Sequence, residues 1–458
     1  MKKRSADLAL FSVILSLALP TMLEQAMQTA VQYVDTAMVG SLGTSAVAAV
    51  GATTTVNWLV GSSVSALSVG FLAYISRALG AGNEEDARRA AAQSVSVTLL
   101  VGALLTAVTL LLAGPIVRWM QVDEAIAPLA ARYFFILYSP MLFRVATTVF
   151  STVLRAAGDT KTPMKIALAV NLTNVVLNFL LIYPARTAAL FEKTVFLWGA
   201  GLGVEGAALA STVSFVLGGT LTAVCLFRHK TVSPRGKSLK PNKSILAPCM
   251  RVAIPNMLQR FLTSAGYVVF AALINSTGEL STAAHTVANT VESAFYIPAY
   301  GMQTAAATLA GNAYGARDHE KMRRLPRLFL PLEVGLMILS GTLLFLLAPQ
   351  LAALFSSDKE VVTLAVTVLR MVALSEPFYG VSIIVEGMLL GVGKTGLPAV
   401  YNTVGMWGVR ILGTFICIRF FALGLVSAWG CMIAHNLLLF CLFTRCYKSG
   451  RWNPLAHQ

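Results

Sequence analysis

Apolar residues along this chain fall in long blocks separated by short polar stretches, without the every-second-residue alternation of a barrel strand. The blocks lie near 12–38, 46–77, 90–117, 126–154, 164–184 and 202–227, and after a polar gap near 247–275, 281–312, 327–354, 360–392, 398–420 and 424–445. Each reaches the roughly 20 residues a helix needs to cross a ~30 Å hydrocarbon core. Only helices satisfy their backbone groups within such a segment. The pattern therefore predicts an all-α membrane protein of twelve transmembrane helices. The first apolar run, from Leu8 to Gly40, is too long for a signal-peptide core and lacks a small-residue cleavage site, so a retained span is expected.

Composition agrees: 56% of the residues are hydrophobic and 12% charged, against about 25% charged in soluble domains. The formal net charge of +15 does not point to nucleic acid, because the basic residues sit in short loops between apolar blocks. The loops after spans 2, 4, 6, 8 and 10 carry Arg88, Arg89, Arg155, Lys161, Lys230, Lys237, Arg317, Arg324 and Lys394, among others. Both ends are basic as well (Lys2, Lys3, Arg4; Arg445, Lys448, Arg451), whereas the alternate loops hold few such residues. The positive-inside rule then places both termini in the cytosol of a multi-pass inner-membrane protein, which an even span count requires. Six cysteines, none in a CxxC pair, are expected to be free thiols.

A repeat runs through the chain at a constant offset of 235 residues. Ala18-Leu19-Pro20-Thr21-Met22-Leu23 is echoed by Ala253-Ile254-Pro255-Asn256-Met257-Leu258. Gly80, Ala81, Glu85, Arg88 and Arg89 return as Gly315, Ala316, Glu320, Arg323 and Arg324, and Leu154, Gly158, Thr160 and Pro163 as Leu389, Gly393, Thr395 and Pro398. Six spans per half make the two repeats parallel, an arrangement that puts transport sites near the midplane. The expected organisation is a six-helix bundle over 1–228, a mobile cytosolic linker over 229–246, a second bundle over 247–446 and a cytosolic tail over 447–458.

Acids inside spans cost about 2.5–3.5 kcal/mol each at a helix centre, so Glu24, Asp35, Glu292, Glu376 and Glu386 should face a cavity or a partner. In span 1, Gln25, Gln28, Gln32 and Asp35 recur every three or four residues and form one polar face with Glu24. Span 5 carries Asn171, Asn174 and Asn178 on one face. Such amides coordinate a sodium ion, hold a carboxylate, or merely join helices by hydrogen bonds. Span 8 carries His285, Asn289, Glu292 and Tyr296, and span 10 carries Glu376, Tyr379 and Glu386. Arg144, Arg260, Arg370 and Arg410 lie in spans and are expected to pair with acids. Pro20, Pro140, Pro255, Pro298 and Pro377 are candidate kinks.

The stretches Leu19-Pro20-Thr21-Met22-Leu23-Glu24-Gln25, Val34-Asp35-Thr36-Ala37-Met38-Val39-Gly40 and Leu154-Arg155-Ala156-Ala157-Gly158-Asp159-Thr160, with their second-half echoes, resemble the MATE (multidrug and toxic compound extrusion) family, in particular its bacterial DinF-like and NorM-like members. The resemblance covers nearly the whole chain. It implies a V-shaped pair of bundles opening alternately to either side, and export of amphipathic, chiefly cationic compounds in exchange for protons or sodium ions. It also implies that Asp35 is the ion-coupling acid, with Asn174 and Asn178 completing a sodium site if sodium is the ion. The chain departs from the family in two places: Asn178 stands where archaeal members have Asp, and Thr263 where NorM-like members have an acid. No HExxH, GxSxG or nucleotide-binding loop occurs, so neither an enzyme nor ATP-driven transport is expected. The expected carrier needs no cofactor beyond its coupling ion, H⁺ or Na⁺, and works as a monomer in the bilayer. A flippase for a lipid-linked saccharide is the alternative.

Overall fold

Because hydrocarbon offers no hydrogen bonds, the apolar blocks close their backbone groups as helices. The computed structural model describes residues 2–119, 123–190 and 193–456. The side chains of Lys2, Lys3, Arg4 and Lys193, and the tail residues His457 and Gln458, lie outside the described part. In the first half, α1 (Lys2–Gly40), α2 (Thr44–Gly80), α3 (Glu84–Trp119), α4 (Ala127–Tyr138), α5 (Met141–Ala156) and α6 (Lys161–Ile182) precede a hairpin, β1 (Pro184–Leu190) and β2 (Lys193–Ala200), and then α7 (Gly203–Arg228). The second half holds α8 (Lys243–Asn275), α9 (Glu279–Tyr296), α10 (Ala299–Gly315), α11 (His319–Phe355), α12 (Lys359–Ala373) and α13 (Glu376–Gly391). It ends with α14 (Gly396–Thr403), a π-helical stretch (Val404–Ile411), α15 (Leu412–Phe421) and α16 (Leu425–Lys448).

Among the described residues nine helices are long and apolar enough to span a bilayer, and the bent pairs α4–α5 and α12–α13 raise the number to eleven. The remaining pair, α9–α10, occupies the expected eighth span. His285, Asn289, Glu292 and Gln303 make it less apolar than the rest. The architecture is consistent with twelve spans.

The repeat extends to the backbone. The bends fall at equivalent places, 46° between α4 and α5 and 54° between α12 and α13. Pro140 is the residue before α5 and Pro377 lies in the first turn of α13. Pro20 and Pro255 instead stay inside the continuous helices α1 and α8. Asn83 Oδ1 accepts from Asp86 N at 3.0 Å, and its echo Asp318 accepts from Lys321 N at 2.8 Å. Asp123 Oδ1 accepts from Ala125 N at 2.9 Å, and its echo Asp358 from Glu360 N at 2.8 Å. Asn83, Asp318 and Asp358 cover amide groups that the first turns of α3, α11 and α12 leave free, while Asp123 closes the turn just before α4. At the turn after α2, Gly82 has φ +74°, and its echo Arg317 adopts φ +53° without glycine's freedom. The hairpin has no counterpart in the second half: 20 residues separate α6 from α7, but three separate α15 from α16. Its antiparallel register, Arg186 opposite Leu197 through Leu190 opposite Lys193, was not expected from the apolar-block pattern.

Both termini and the basic loops gather at one end, here called the basic end. Arg324 pairs with Asp7 at 3.5 Å, Thr160 Oγ1 donates to Ser16 O, and Lys394 Nζ donates to Arg451 O at 2.7 Å. The linker also lies there, but it is tied down where a mobile segment was expected. Gln93 Nε2 donates to Ser238 O and Lys240 O, while its Oε1 accepts from Asn242 N at 2.9 Å. Arg88 donates to Lys230 O and Thr231 O, Lys237 bridges Glu85 at 2.7 Å, and Val232 is fully buried. Basic linker residues thus dock on the start of α3, whose first turn is acidic (Glu84, Glu85, Asp86).

Two large cores correspond to the halves, with exchange between them. One is built from α2, α3, α4, α5 and α7 around Phe71, Phe134, Tyr138 and Phe150, and takes in Cys249 of α8. A second, around Phe329, Met388 and Phe443, takes in Ile14, Leu17 and Ala18 of α1. A third, around Phe270, Leu344 and Trp429, fills the other end of the second half.

Candidate functional site

Helical spacing puts Asn174 and Asn178 one turn apart on α6, and packing of α6 along α1 turns both toward Asp35. Asn178 Nδ2 donates to Asp35 Oδ1 at 2.6 Å and to Asn174 Oδ1 at 3.2 Å. Turning over the Asn174 amide replaces the second bond with donation to Asp35 Oδ1 at 2.9 Å and Oδ2 at 3.2 Å. Asn178 and Asn174 are buried and Asp35 is half-buried. In the first orientation Asn174 Nδ2 donates to Ser211 Oγ of α7 at 3.3 Å. Asn178 Oδ1, buried beside the carboxylate, has no partner among the described residues, and neither has Asn171 Nδ2. Among those residues no Lys, Arg or His lies within ion-pair distance of Asp35. One carboxylate held by neutral amides, with the unpartnered Asn178 Oδ1 beside it and no fixed counter-charge, suits a mobile cation, whether a proton, a sodium ion or an organic cation.

Glu24 has a different environment. Arg155 Nη2 donates to Glu24 Oε1 at 2.6 Å, with the side chains 19% and 6% exposed. Arg155, expected as a loop charge that orients the chain, thus lies in the last turn of α5 with its side chain turned inward. Glu24 already holds a permanent counter-ion. Gln28 and Gln32 of the same stripe are exposed and Gln25 is half-buried. The structure brings neither Gln28 nor Gln32 to Asp35 by a hydrogen bond.

The second half divides its acids further. Glu386 accepts from Gln259 Nε2 at 2.8 Å and from Asn402 Nδ2 at 3.4 Å, joining α13 to α8 and α14. Gln259 is the repeat echo of Glu24. Tyr379 and Tyr300 share a hydroxyl hydrogen bond of 2.9 Å, and Tyr296 stands edge-on to both rings at 6.4 and 6.2 Å. Glu292 and Glu376 are buried. His285 accepts from Trp429 Nε1 at 3.3 Å and packs edge-on to Phe270, a structural placement.

The four membrane arginines form no ion pairs with the acids among the described residues. Arg410 lies over the rings of Phe270 and Tyr267 at 4.1 and 4.8 Å, Arg144 over Phe215 at 5.1 Å, Arg370 over Phe345 at 5.2 Å and Arg260 over Tyr300 at 6.0 Å. Arg144 also donates to Asn57 Oδ1. Ring faces take the place of carboxylates because a desolvated cation is attracted by the aromatic quadrupole.

One acid escaped the sequence reasoning. Glu333 lies within α11, fully buried, with neither carboxylate oxygen partnered among the described residues. The insertion cost that flagged the other five applies to it equally. It was missed because it belongs to no polar stripe. Glu386→Leu should lower stability by about 1–3 kcal/mol by stranding the Gln259 amide, whereas Asn402 keeps its bond to Pro398 O at 3.0 Å. Glu333→Met should be neutral or stabilising, because it removes a buried group that makes no bond. Thermal unfolding in detergent compares the two, and equal losses would overturn this division.

The sequence profile of the MatE family matches residues 20–180 and 255–416, two stretches that begin 235 residues apart as the repeat does. A Thermotoga maritima protein named "Probable multidrug resistance protein NorM" is 29% identical over 97% of this chain and 93% of its own length. A Bacillus subtilis protein named "Probable multidrug resistance protein YoeA" is 26% identical over 90% of this chain and 87% of its own. Among solved structures, a MATE protein in complex with MaL6 superposes with a TM-score of 0.90 at 23% identity, covering 98% of this chain and 97% of that one. A MOP-superfamily transporter from Pyrococcus furiosus gives 0.89 at 24% identity, covering 97% and 96%. With the profile matched in both halves and the helical fold shared with those structures over nearly the whole chain, the chain belongs to the MATE family of membrane transporters and is a carrier, not an enzyme.

Proposed function

We propose that this carrier exports small amphipathic, chiefly cationic compounds in exchange for a cation, proton or sodium, that binds at Asp35. The observation that carries this reading is the contrast between two acids on one helix: Glu24 has a fixed arginine, while Asp35 is held only by neutral amides. A carboxylate without a resident counter-ion takes a mobile one, and mutually exclusive occupancy by ion and drug is the simplest antiport. Asn174 and Asn178 would complete a sodium site through their amide oxygens, or steady the carboxyl when a proton is the ion. Glu292, Glu386 and Tyr379 supply the polar and aromatic lining of the second half. The basic end faces the cytosol, as the clustering of Arg and Lys supports. The names of the bacterial relatives point the same way. A basic pyrophosphate-binding cavity, which the saccharide-flippase alternative requires, finds no support, since the membrane arginines lie against rings. In proteoliposomes, ethidium or norfloxacin efflux should saturate and follow an imposed proton or sodium gradient, each applied alone. Flux that saturates but ignores both gradients would refute antiport.

A further inference from the structure

The two halves touch in pairs related by the sequence repeat. Thr21 Oγ1 donates to Gly301 O at 2.9 Å, and Asn256 Nδ2 donates to Ala66 O at 3.4 Å. Asn256 is the echo of Thr21, and Gly301 the echo of Ala66. A methyl group added at Gly80 would lie 2.0 Å from Asn312 O, and one at Gly315 would lie 1.9 Å from Arg77 O. Gly315 echoes Gly80, and Asn312 echoes Arg77. A methyl at Gly311 would lie 2.1 Å from Ser76 Oγ, and Ser76 and Gly311 are themselves echoes. Each contact maps onto its partner when the halves are exchanged, which is the self-complementarity of an interface around a two-fold axis. That axis passes between Ser76 and Gly311, where α2 and α10 cross at the basic end.

The crossing is built to separate without penalty to the backbone. Arg77 O keeps its helical partner Ala81 N at 3.0 Å, and Asn312 O keeps Ala316 N at 3.0 Å. Ser76 Oγ donates within its own helix to Leu72 O at 2.7 Å. Parting α2 from α10 here therefore strands no backbone group and loses only van der Waals contact and the placement of the Arg77 guanidinium over the Tyr314 ring, 6.0 Å from its centroid. At the other end, hydrogen bonding between the halves is confined to the Tyr33 hydroxyl, which donates to Thr290 O and lies 3.0 Å from Ser293 Oγ, as far as the described residues show.

We propose that this glycine-lined crossing, Ser76 with Arg77 and Gly80 against Gly311, Asn312 and Gly315, is the gate on the basic side, closed in this structure and opened once per transport cycle. The inference rests on the transport reading and locates the part that must move. A static fulcrum at the same place would stay closed throughout the cycle, and the two are separable.

The test uses a background with the six native cysteines replaced and efflux equal to wild type. In it, Ser76→Cys is combined with Gly311→Cys; a Cβ at Gly311 would lie 3.1 Å from Ser76 Cβ, so a shift of about half an ångström reaches disulfide distance. Oxidation should cross-link the pair and cut efflux at least tenfold, and reductant should restore it. Ser76→Cys alone should react slowly with an impermeant maleimide in inside-out vesicles. Adding Gly80→Ala, or independently Gly315→Ala, should speed that reaction at least tenfold with the protein still monodisperse in detergent. The labelling arm needs no drug, so a wrong substrate assignment leaves it readable. Cross-linked protein that exports at the uncross-linked rate, a pair that never cross-links, or labelling indifferent to both alanines would each overturn the gate.

Discussion

Asp35→Asn should leave a folded, membrane-inserted protein whose ion-driven efflux is at least tenfold below wild type. The substitution keeps size and hydrogen-bonding reach and removes only the charge, so the bond from Asn178, 2.6 Å in the native chain, still has an oxygen to accept it. What disappears is the group whose occupancy, in the antiport proposed above, the ion gradient controls. An ion drives a conformational cycle only through its differential affinity for the two states. A tenfold change in population corresponds to about 1.4 kcal/mol, and a full switch requires about 5.5 kcal/mol. A neutral amide offers a proton or a sodium ion far less than a carboxylate does. Downhill drug counterflow, which needs no ion, should persist. Efflux by Asp35→Asn equal to wild type under a maintained gradient would remove Asp35 from the coupling role.

Asn178→Ala should produce an intermediate phenotype. It deletes one donor and the unpartnered oxygen beside Asp35, weakening how ion and carboxylate are held without abolishing the charge. Its effect should therefore fall on apparent ion affinity, read as the gradient needed for half-maximal efflux.

Much of this arrangement is legible in the sequence, for physical reasons that also mark its limits. Twelve apolar blocks and one repeat follow from the cost of polar groups in hydrocarbon, which every span must meet. The three-and-four spacing places Asn174 with Asn178, and Asp35 with its glutamines, on single faces. Periodicity does not say which face meets which, so the approach of α6 to α1 that joins Asp35 to Asn178 appears only in three dimensions. Arg155 was assigned to topology because it sits at the end of an apolar block, where a charge can equally be solvated or turned inward. The membrane arginines were expected on acids and lie on rings, since both choices satisfy the same electrostatic need. The hairpin at 184–200 hid between two spans because its alternation is short beside the apolar blocks. The repeat offset was visible throughout, but that it generates paired contacts at Ser76 and Gly311 required knowing where the halves touch.

Arg155→Ala should be the most destabilising single change considered, at about 3–5 kcal/mol, because it leaves the Glu24 carboxylate buried without its counter-ion. The pair meets through one bond of 2.6 Å, and Glu24 Oε2 and Arg155 Nε have no further partners among the described residues. The desolvation of two charges is thus offset by a single contact, a weak net source of stability although costly to break halfway. Replacing both residues together, Glu24→Leu with Arg155→Met, should recover most of the lost stability, measured as the unfolding temperature in detergent. The same double variant separates structure from coupling. Glu24 has a fixed counter-ion and Asp35 has none among the described residues, so a folded double variant should still respond to the ion gradient where Asp35→Asn does not. If the double variant folds but transports without regard to the gradient, Glu24 lies on the ion's path. A fixed arginine would then no longer distinguish a structural acid from a working one in this helix.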